Sequence, residues 1–311
     1  MVVTVAIALS GPRPRMGVLT EVPSVGENVE AYLAAAEADV PDIRPGAQKG
    51  VVWADPAARA PTPWSIVYLH GFSADRHEVE PLVGDLAAGM GANVFFTRLA
   101  GHGRDAAAMG EATVDAWLRD AAEAMEVGRA IGERVLLVGT STGGTLALWV
   151  AGRPDLAEDL GALVLLSPNL HPRDRRSRLL LWPWGGLIAR LLEGPERCFE
   201  THGDAHARHW TECYPTSALL PMMALVEAVR TSRLEDVRTP TLVIYVPDDQ
   251  VVDPRETVIG FGRLRADVKA LHAVQAPGDP EQHVPAGAVL SPGSTEKVRR
   301  EIAAFIAGLP R

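Results

Sequence analysis

The sequence predicts an α/β protein, a doubly wound and mostly parallel sheet with a small helical cap. Short β-branched runs alternate with segments whose apolar residues recur three and four positions apart. The strand-like runs read as buried, and one long interval breaks the alternation. The 311 residues, 47% hydrophobic and 22% charged, suit a folded chain with a sizeable core.

In chain order, strands are expected at 51–53 (VVW), 64–69 (WSIVYL), 93–97 (NVFFT), 135–138 (VLLV), 162–166 (ALVLL), 241–246 (TLVIYV) and 268–274 (VKALHAV). Helices are expected at 78–91, 114–132, 143–152 and 294–309, each with the apolar spacing of a helix laid on a sheet. Between Asn169 and Thr239 no core strand is evident, while Pro, Arg, Trp and His accumulate. That interval is too long for an ordinary connection and reads as a mainly helical cap over the strand ends. The resulting division is an N-terminal segment 1–48, a core from 49–168 and 240–311, and a cap at 169–239.

The apolar run at residues 1–10 is far shorter than the roughly 20 residues of a membrane span. It leaves two readings open: the tail of an anchor or signal, placing the protein at a membrane or in the periplasm, and the frayed end of a cytoplasmic chain. A net charge of −9 argues against a nucleic-acid partner. Only Cys198 and Cys213 are present, so no disulfide framework is required, and two reduced thiols are the expectation.

The stretch Gly139-Thr140-Ser141-Thr142-Gly143 lies where a strand runs into a helix. Such a turn pushes its central residue out at the carboxyl edge of the sheet and tolerates no bulk two residues to either side. A glycine-rich phosphate loop would want a lysine after the glycines, and Thr145-Leu146-Ala147-Leu148 offers none. A serine nucleophile needs a histidine to take its proton and a carboxylate to orient that histidine. Asp248-Asp249 follow the strand at 241–246, and His283 follows the strand at 268–274. Asp249 is preferred because Val251-Val252 can anchor its loop; Asp248 is the fallback, and Asp253 reads as a helix cap before Pro254. The Phe72 N–H, after His70-Gly71, can join the Thr142 N–H in holding an oxyanion, with the Phe72 ring walling an acyl pocket.

Of the nine histidines, His202, His206 and His209 lie near the two cysteines, but no Cys-x-x-Cys pair accompanies them and no metal is assigned. The Leu, Ile and Trp residues of the cap run 179–192, with Trp182, Trp184 and Leu187 foremost, read either as an apolar roof for substrate or as packing of the cap on the core. Arg173, Arg175, Arg176 and Arg178 read either as a weak contact for an anionic membrane surface or as a solvated charged face.

Together, His70-Gly71-Phe72, Leu99-Ala100-Gly101-His102-Gly103, the Ser141 pentapeptide, Asp249 and His283, in that order, resemble the α/β-hydrolase superfamily over about residues 50–310. Within it the chain looks like the carboxylesterases and monoacylglycerol lipases. Ala100 departs from the proline often found before Gly-His-Gly, and Gln282 from the small residue usual before the histidine. The resemblance implies a serine carboxylesterase acting on short- to medium-chain acyl esters through an acyl-enzyme, with a small-molecule ester as partner and no cofactor or metal. Other bonds share the same triad, so monoacylglycerol lipase, thioesterase, lactonase, amidase and carbon–carbon hydrolase remain alternatives, as does a non-catalytic receptor on this fold. His70 and His102 are expected to shape loops through hydrogen bonds rather than to carry protons.

Overall fold

The β-branched and leucine runs assemble into a seven-stranded sheet. The computed structural model describes residues 10–310, and the apolar run at 1–10 lies outside the described residues but for Ser10. After helix α1 (Val29–Glu37), the sheet begins with β1 (Gly50–Val52), β2 (Thr62–Leu69) and β3 (Asn93–Phe96). Helix α2 (Leu82–Met90) lies between β2 and β3, and α3 (Ala106–Glu111) and α4 (Val114–Ile131) lead into β4 (Gly132–Thr140). Then come α5 (Thr142–Ala151), β5 (Leu160–Leu166) and the interval expected to be a cap. Its elements are α6 (Gly185–Glu193), β6 (Glu196–Cys198), α7 (Asp204–His209), β7 (Cys213–Pro215) and α8 (Leu219–Thr231). The chain closes with β8 (Thr241–Tyr245), α9 (Pro254–Arg263), β9 (Lys269–Ala273) and α10 (Pro292–Ala307).

The strand order is β1-β3-β2-β4-β5-β8-β9, all parallel except β1, which runs antiparallel to β3 at the edge. All seven expected core strands are present. Their alternate residues feed two cores: Val67, Leu137 and Leu163 pack with Trp117, Met125 and Leu146 on one face, and Ile66, Leu136 and Val164 with Leu86, Val298 and Ile302 on the other. Helices must cover both faces of a parallel sheet, and here α4 and α5 cover one while α2 and α10 cover the other.

The helix expected at 78–91 begins only at Leu82, after a single 3-10 turn at Arg76–Glu78. Pro81 explains the delay, since a residue without an N–H fits the start of a helix and not its interior. The turn carries Glu78 into the protein interior, where it is 2% exposed.

One expectation for the cap interval is corrected. Besides its helices the interval holds a short hairpin, in which β6 and β7 pair antiparallel with Cys198 opposite Cys213. Those cysteines form a disulfide and are not the expected free thiols; the strand pairing brings their Cα atoms to 4.2 Å. Helix α8 packs against α5 and α4 on the core side. Among the described residues, no helix is long and apolar enough to cross a membrane.

The β4–α5 turn sits directly beside the end of β2, with Gly139 paired to Leu69. A Cβ on Gly143 would lie 2.0 Å from the Leu69 carbonyl oxygen, whereas one on Gly84, in α2, would meet nothing within 4 Å. Gly143→Ala should therefore destabilise the protein by about 1–3 kcal/mol or more, since backbone atoms must move. Gly84→Ala should stabilise it by up to about 1 kcal/mol. Urea unfolding of the two variants checks the contrast.

Candidate active site

Ser141 is the residue between β4 and α5, and its backbone is held at φ 51° and ψ −116°, outside the regions that a serine ordinarily adopts. The conformation is held on three sides. The Ser141 N–H donates to the Leu166 carbonyl (2.9 Å), and its own carbonyl accepts from Asn169 (3.0 Å) and Thr145 (3.1 Å). Glycine is required at both flanking positions, because a Cβ on Gly139 would lie 2.5 Å from the Gly143 carbonyl oxygen. Thr142 is the first residue of α5, where a helix leaves its N–H groups without intrahelical partners and presents the positive end of its dipole.

Asp249 and His283 come together from loops after β8 and β9. The His283 Nδ1 lies 2.8 Å from Asp249 Oδ2, and both residues are buried. The other Asp249 oxygen accepts the N–H groups of Val251 (2.8 Å) and Val252 (2.9 Å), the anchoring expected of that pair. Asp248 is exposed, and Asp253 caps α9 by accepting from the Arg255 N–H.

Asp279, four residues before His283, carries no signal in the sequence that marks it for a role. Its carboxylate accepts three backbone N–H groups, those of Glu281 (3.0 Å), His283 (2.9 Å) and Val284 (2.7 Å), and so builds the loop that presents the imidazole. Burial works against the His283 imidazolium, but the Asp249 carboxylate, its hydrogen bond, Asp279 and Glu78 outweigh it and raise the pKa above 6.5.

His70 and His102 are fully buried. The His70 Nε2 accepts the Leu99 N–H (3.1 Å), which leaves Nδ1 to donate to the Gly71 carbonyl (2.9 Å). The His102 Nδ1 faces the Ala100 carbonyl at 3.1 Å. Burial lowers His70 to about 4 and His102 well below the ordinary histidine value, so both are neutral at pH 7 and hold loops together. Phe72 packs edge-to-face against His102, Trp117 and Tyr214, with ring centroids 5.6, 6.2 and 5.2 Å away.

A cavity of about 440 Å³ opens over these groups, lined by Ser141, His283, Phe72 and Glu78 from the core and by cap residues. Trp182, Trp184 and Leu187 do not line it, which corrects the expected roof. Helical phase explains the error in α6: Gly185, Ile188, Ala189 and Leu192 face the cavity, and Leu187 lies on the other side, 53% exposed. Trp182 is exposed, and Trp184 packs against Gly11 and donates its backbone N–H to the Pro12 carbonyl (2.9 Å). Leu180, in the run 179–192, lines the cavity; Tyr214, Leu219 and Met222 line it as well and were missed. Asn169 was missed as well; its Oδ1 is buried at the cavity without a hydrogen-bond partner among the described residues.

The cap histidines do not converge on a shared point. The His206 Nδ1 accepts the His202 N–H (3.0 Å), and His209 turns to Asp75. Among the described residues, Asp75, His77 and His209 are close enough to hold a metal ion, but both Asp75 oxygens already face an imidazole Nδ1, at 2.8 and 3.2 Å.

The chain resembles known proteins in sequence and in fold. The family described as serine aminopeptidase, S33 (Hydrolase_4) matches residues 60–276. The chain belongs to this family. A thermostable monoacylglycerol lipase from Bacillus sp. (strain H-257) is 24% identical over 209 residues, 67% of this chain and 80% of the relative. A solved structure of the metagenome-derived lipolytic enzymes LipS and LipT superposes with a TM-score of 0.69 at 20% identity, covering 86% of this chain and 100% of the other. A monoglyceride lipase from Saccharomyces cerevisiae, bound to a substrate analogue, superposes with a TM-score of 0.61 at 15% identity, covering 86% and 94%. This S33-family protein is thus an α/β-hydrolase and a carboxylic ester hydrolase.

Asp279→Ala should lower kcat/KM for ester hydrolysis by about 10²-fold, because three N–H groups that place His283 lose their acceptor. Asp248→Asn, on the exposed neighbour, should stay within about twofold. Steady-state kinetics of the two variants against one ester checks both.

Proposed function

We propose that the protein is a serine carboxylesterase that cleaves short- to medium-chain acyl esters through an acyl-enzyme on Ser141. The observation that carries this reading is the strained Ser141 at the first turn of α5, on the wall of the cavity that also holds the Asp249-bound His283. With Nδ1–H donated to Asp249, the lone pair of neutral His283 is at Nε2, available to take the Ser141 proton as Oγ attacks the ester carbonyl. The N–H groups of Phe72 and Thr142 hold the oxyanion, each donor contributing about 3 kcal/mol to the transition state. The imidazolium then protonates the leaving alcohol. Water enters, gives its proton to His283 and attacks the acyl-enzyme, releasing the acid and restoring Ser141.

The inner wall of the cavity supports an apolar acyl chain, with Leu180, Ile188, Leu219 and Met222 among its residues. Two observations favour monoacylglycerols within this class: two relatives are a monoacylglycerol and a monoglyceride lipase, and Asn169 Oδ1 is an unused acceptor at the cavity, suited to a substrate hydroxyl.

The test is a panel of p-nitrophenyl esters of graded chain length, run beside monoacylglycerols, thioesters and amides, with Ser141→Ala as the blank. Medium-chain oxygen esters should be preferred, and Ser141→Ala should lose about 10⁴-fold or more in kcat. His283 must be neutral to act as base and its pKa is raised, so kcat/KM should fall as the pH drops through a value above 6.5. Preference for amides or thioesters, or activity kept in Ser141→Ala, would overturn the reading.

A further inference from the structure

We propose that Glu78 is a positioning residue of the oxyanion site: its carboxylate braces both the Gly71–Phe72 segment and the Thr140 end of the Ser141 turn, and its charge favours the His283 imidazolium. This rests on the serine esterase reading above.

Glu78 is 2% exposed and lines the cavity together with Ser141 and His283. Its Oε2 accepts the Gly71 N–H (2.8 Å) and the Tyr68 hydroxyl (2.7 Å), and the Tyr68 oxygen lies 2.9 Å from Thr140 Oγ1. One oxygen therefore ties the residue before Phe72 to the residue before Ser141, the two strand ends from which both oxyanion donors hang. Its other oxygen packs against Gly71, where a Cβ would lie 2.5 Å from Oε1.

The loop that carries His283 braces the turn from the far side. A Cβ on Gly287 would lie 2.3 Å from the Glu78 carbonyl oxygen, and the Ala288 N–H donates to the Glu80 carbonyl (2.7 Å). Glu78 thus sits where the three segments of the site meet.

A buried carboxylate is costly, and this one is not paired with a lysine or arginine in any ion pair among the described residues. The titratable groups that act on it are Tyr68 from β2, His283 from the loop after β9 and Asp75 from its own turn. Around His283 stand Asp249, Asp279 and Glu78. Burial raises Glu78 to about 7, against the hydrogen bonds from Tyr68 and Gly71. Above that pH it is charged beside His283, where it favours the imidazolium that forms as Ser141 attacks.

Two substitutions separate charge from bracing. Glu78→Gln keeps an oxygen able to accept both hydrogen bonds and removes the charge, so His283 should lose its proton more readily. The acid limb of kcat/KM should move to lower pH by about half a unit or more, with the plateau kcat changed only a few-fold. Glu78→Ala removes the brace. Its kcat should fall by about 30-fold or more while KM changes little, and affinity for a trifluoromethyl ketone, which forms an oxyanion on the serine, should weaken in parallel. Should Glu78→Ala fail to fold, Glu78→Gln still decides. An unmoved acid limb in Glu78→Gln overturns the inference, as does a folded Glu78→Ala with unchanged kcat and inhibitor affinity. Fluorophosphonate labelling of Ser141 runs alongside. If the wild type does not label, both this role and the esterase reading fall; if it labels and the Glu78 variants behave as wild type, this role alone falls.

Discussion

The site depends on one close approach of backbone to backbone, where the turn between β4 and α5 presses against the end of β2. A Cβ on Gly143 would lie 2.0 Å from the Leu69 carbonyl oxygen and 2.6 Å from that of His70, so only glycine permits the contact. Parallel pairing of β2 with β4 makes the approach unavoidable, since Leu69 and Gly139 are register partners and both strands end at the same edge. That edge presents the Phe72 loop and the first turn of α5 to one cavity. The left-handed backbone of Ser141 is the strain this arrangement holds in place, fixed by bonds to Leu166, Thr145 and Asn169.

Electrostatics divide the buried histidines into two kinds. His70 and His102 lose charge to burial and serve as neutral linkers between loops. His283 is buried too, yet three carboxylates favour its proton, and Asp249 fixes which nitrogen carries it. All three carboxylates also satisfy backbone N–H groups: Asp249 organises 251–252, Asp279 organises 281–284 and Glu78 accepts from Gly71. A carboxylate held in this way combines loop construction with tuning of the imidazole.

Much of this was legible in the sequence for a simple reason. In a parallel sheet, loops at the carboxyl edge follow apolar runs, so Ser141, Asp249 and His283 could each be placed after a strand before any contact was known. The edge strand at 50–52 was equally visible, though its antiparallel direction was not. Glu78 was hidden because its apolar neighbours Val79 and Leu82 read as one continuous helix, and only Pro81 marked the break. Leu187 misled because apolar content alone does not reveal the phase of a nine-residue helix, and Trp182 and Trp184 because they precede that helix, one exposed and the other packed against Gly11. The glycine at 185 and small Ala189, four positions apart, were the better signal for the face that meets the cavity. The Cys198–Cys213 bridge was not visible because a separation of 15 residues says nothing about strand register in a short hairpin.

The central claim is that Ser141 becomes acylated during turnover. It is tested most directly by acid-quenching the enzyme while it turns over a p-nitrophenyl ester and locating the added mass by peptide mass spectrometry. The account predicts an acyl group on the peptide containing Ser141, accumulating further when deacylation is slowed and absent in Ser141→Ala. Turnover with no acyl adduct on that peptide, or an adduct on another side chain, would contradict it.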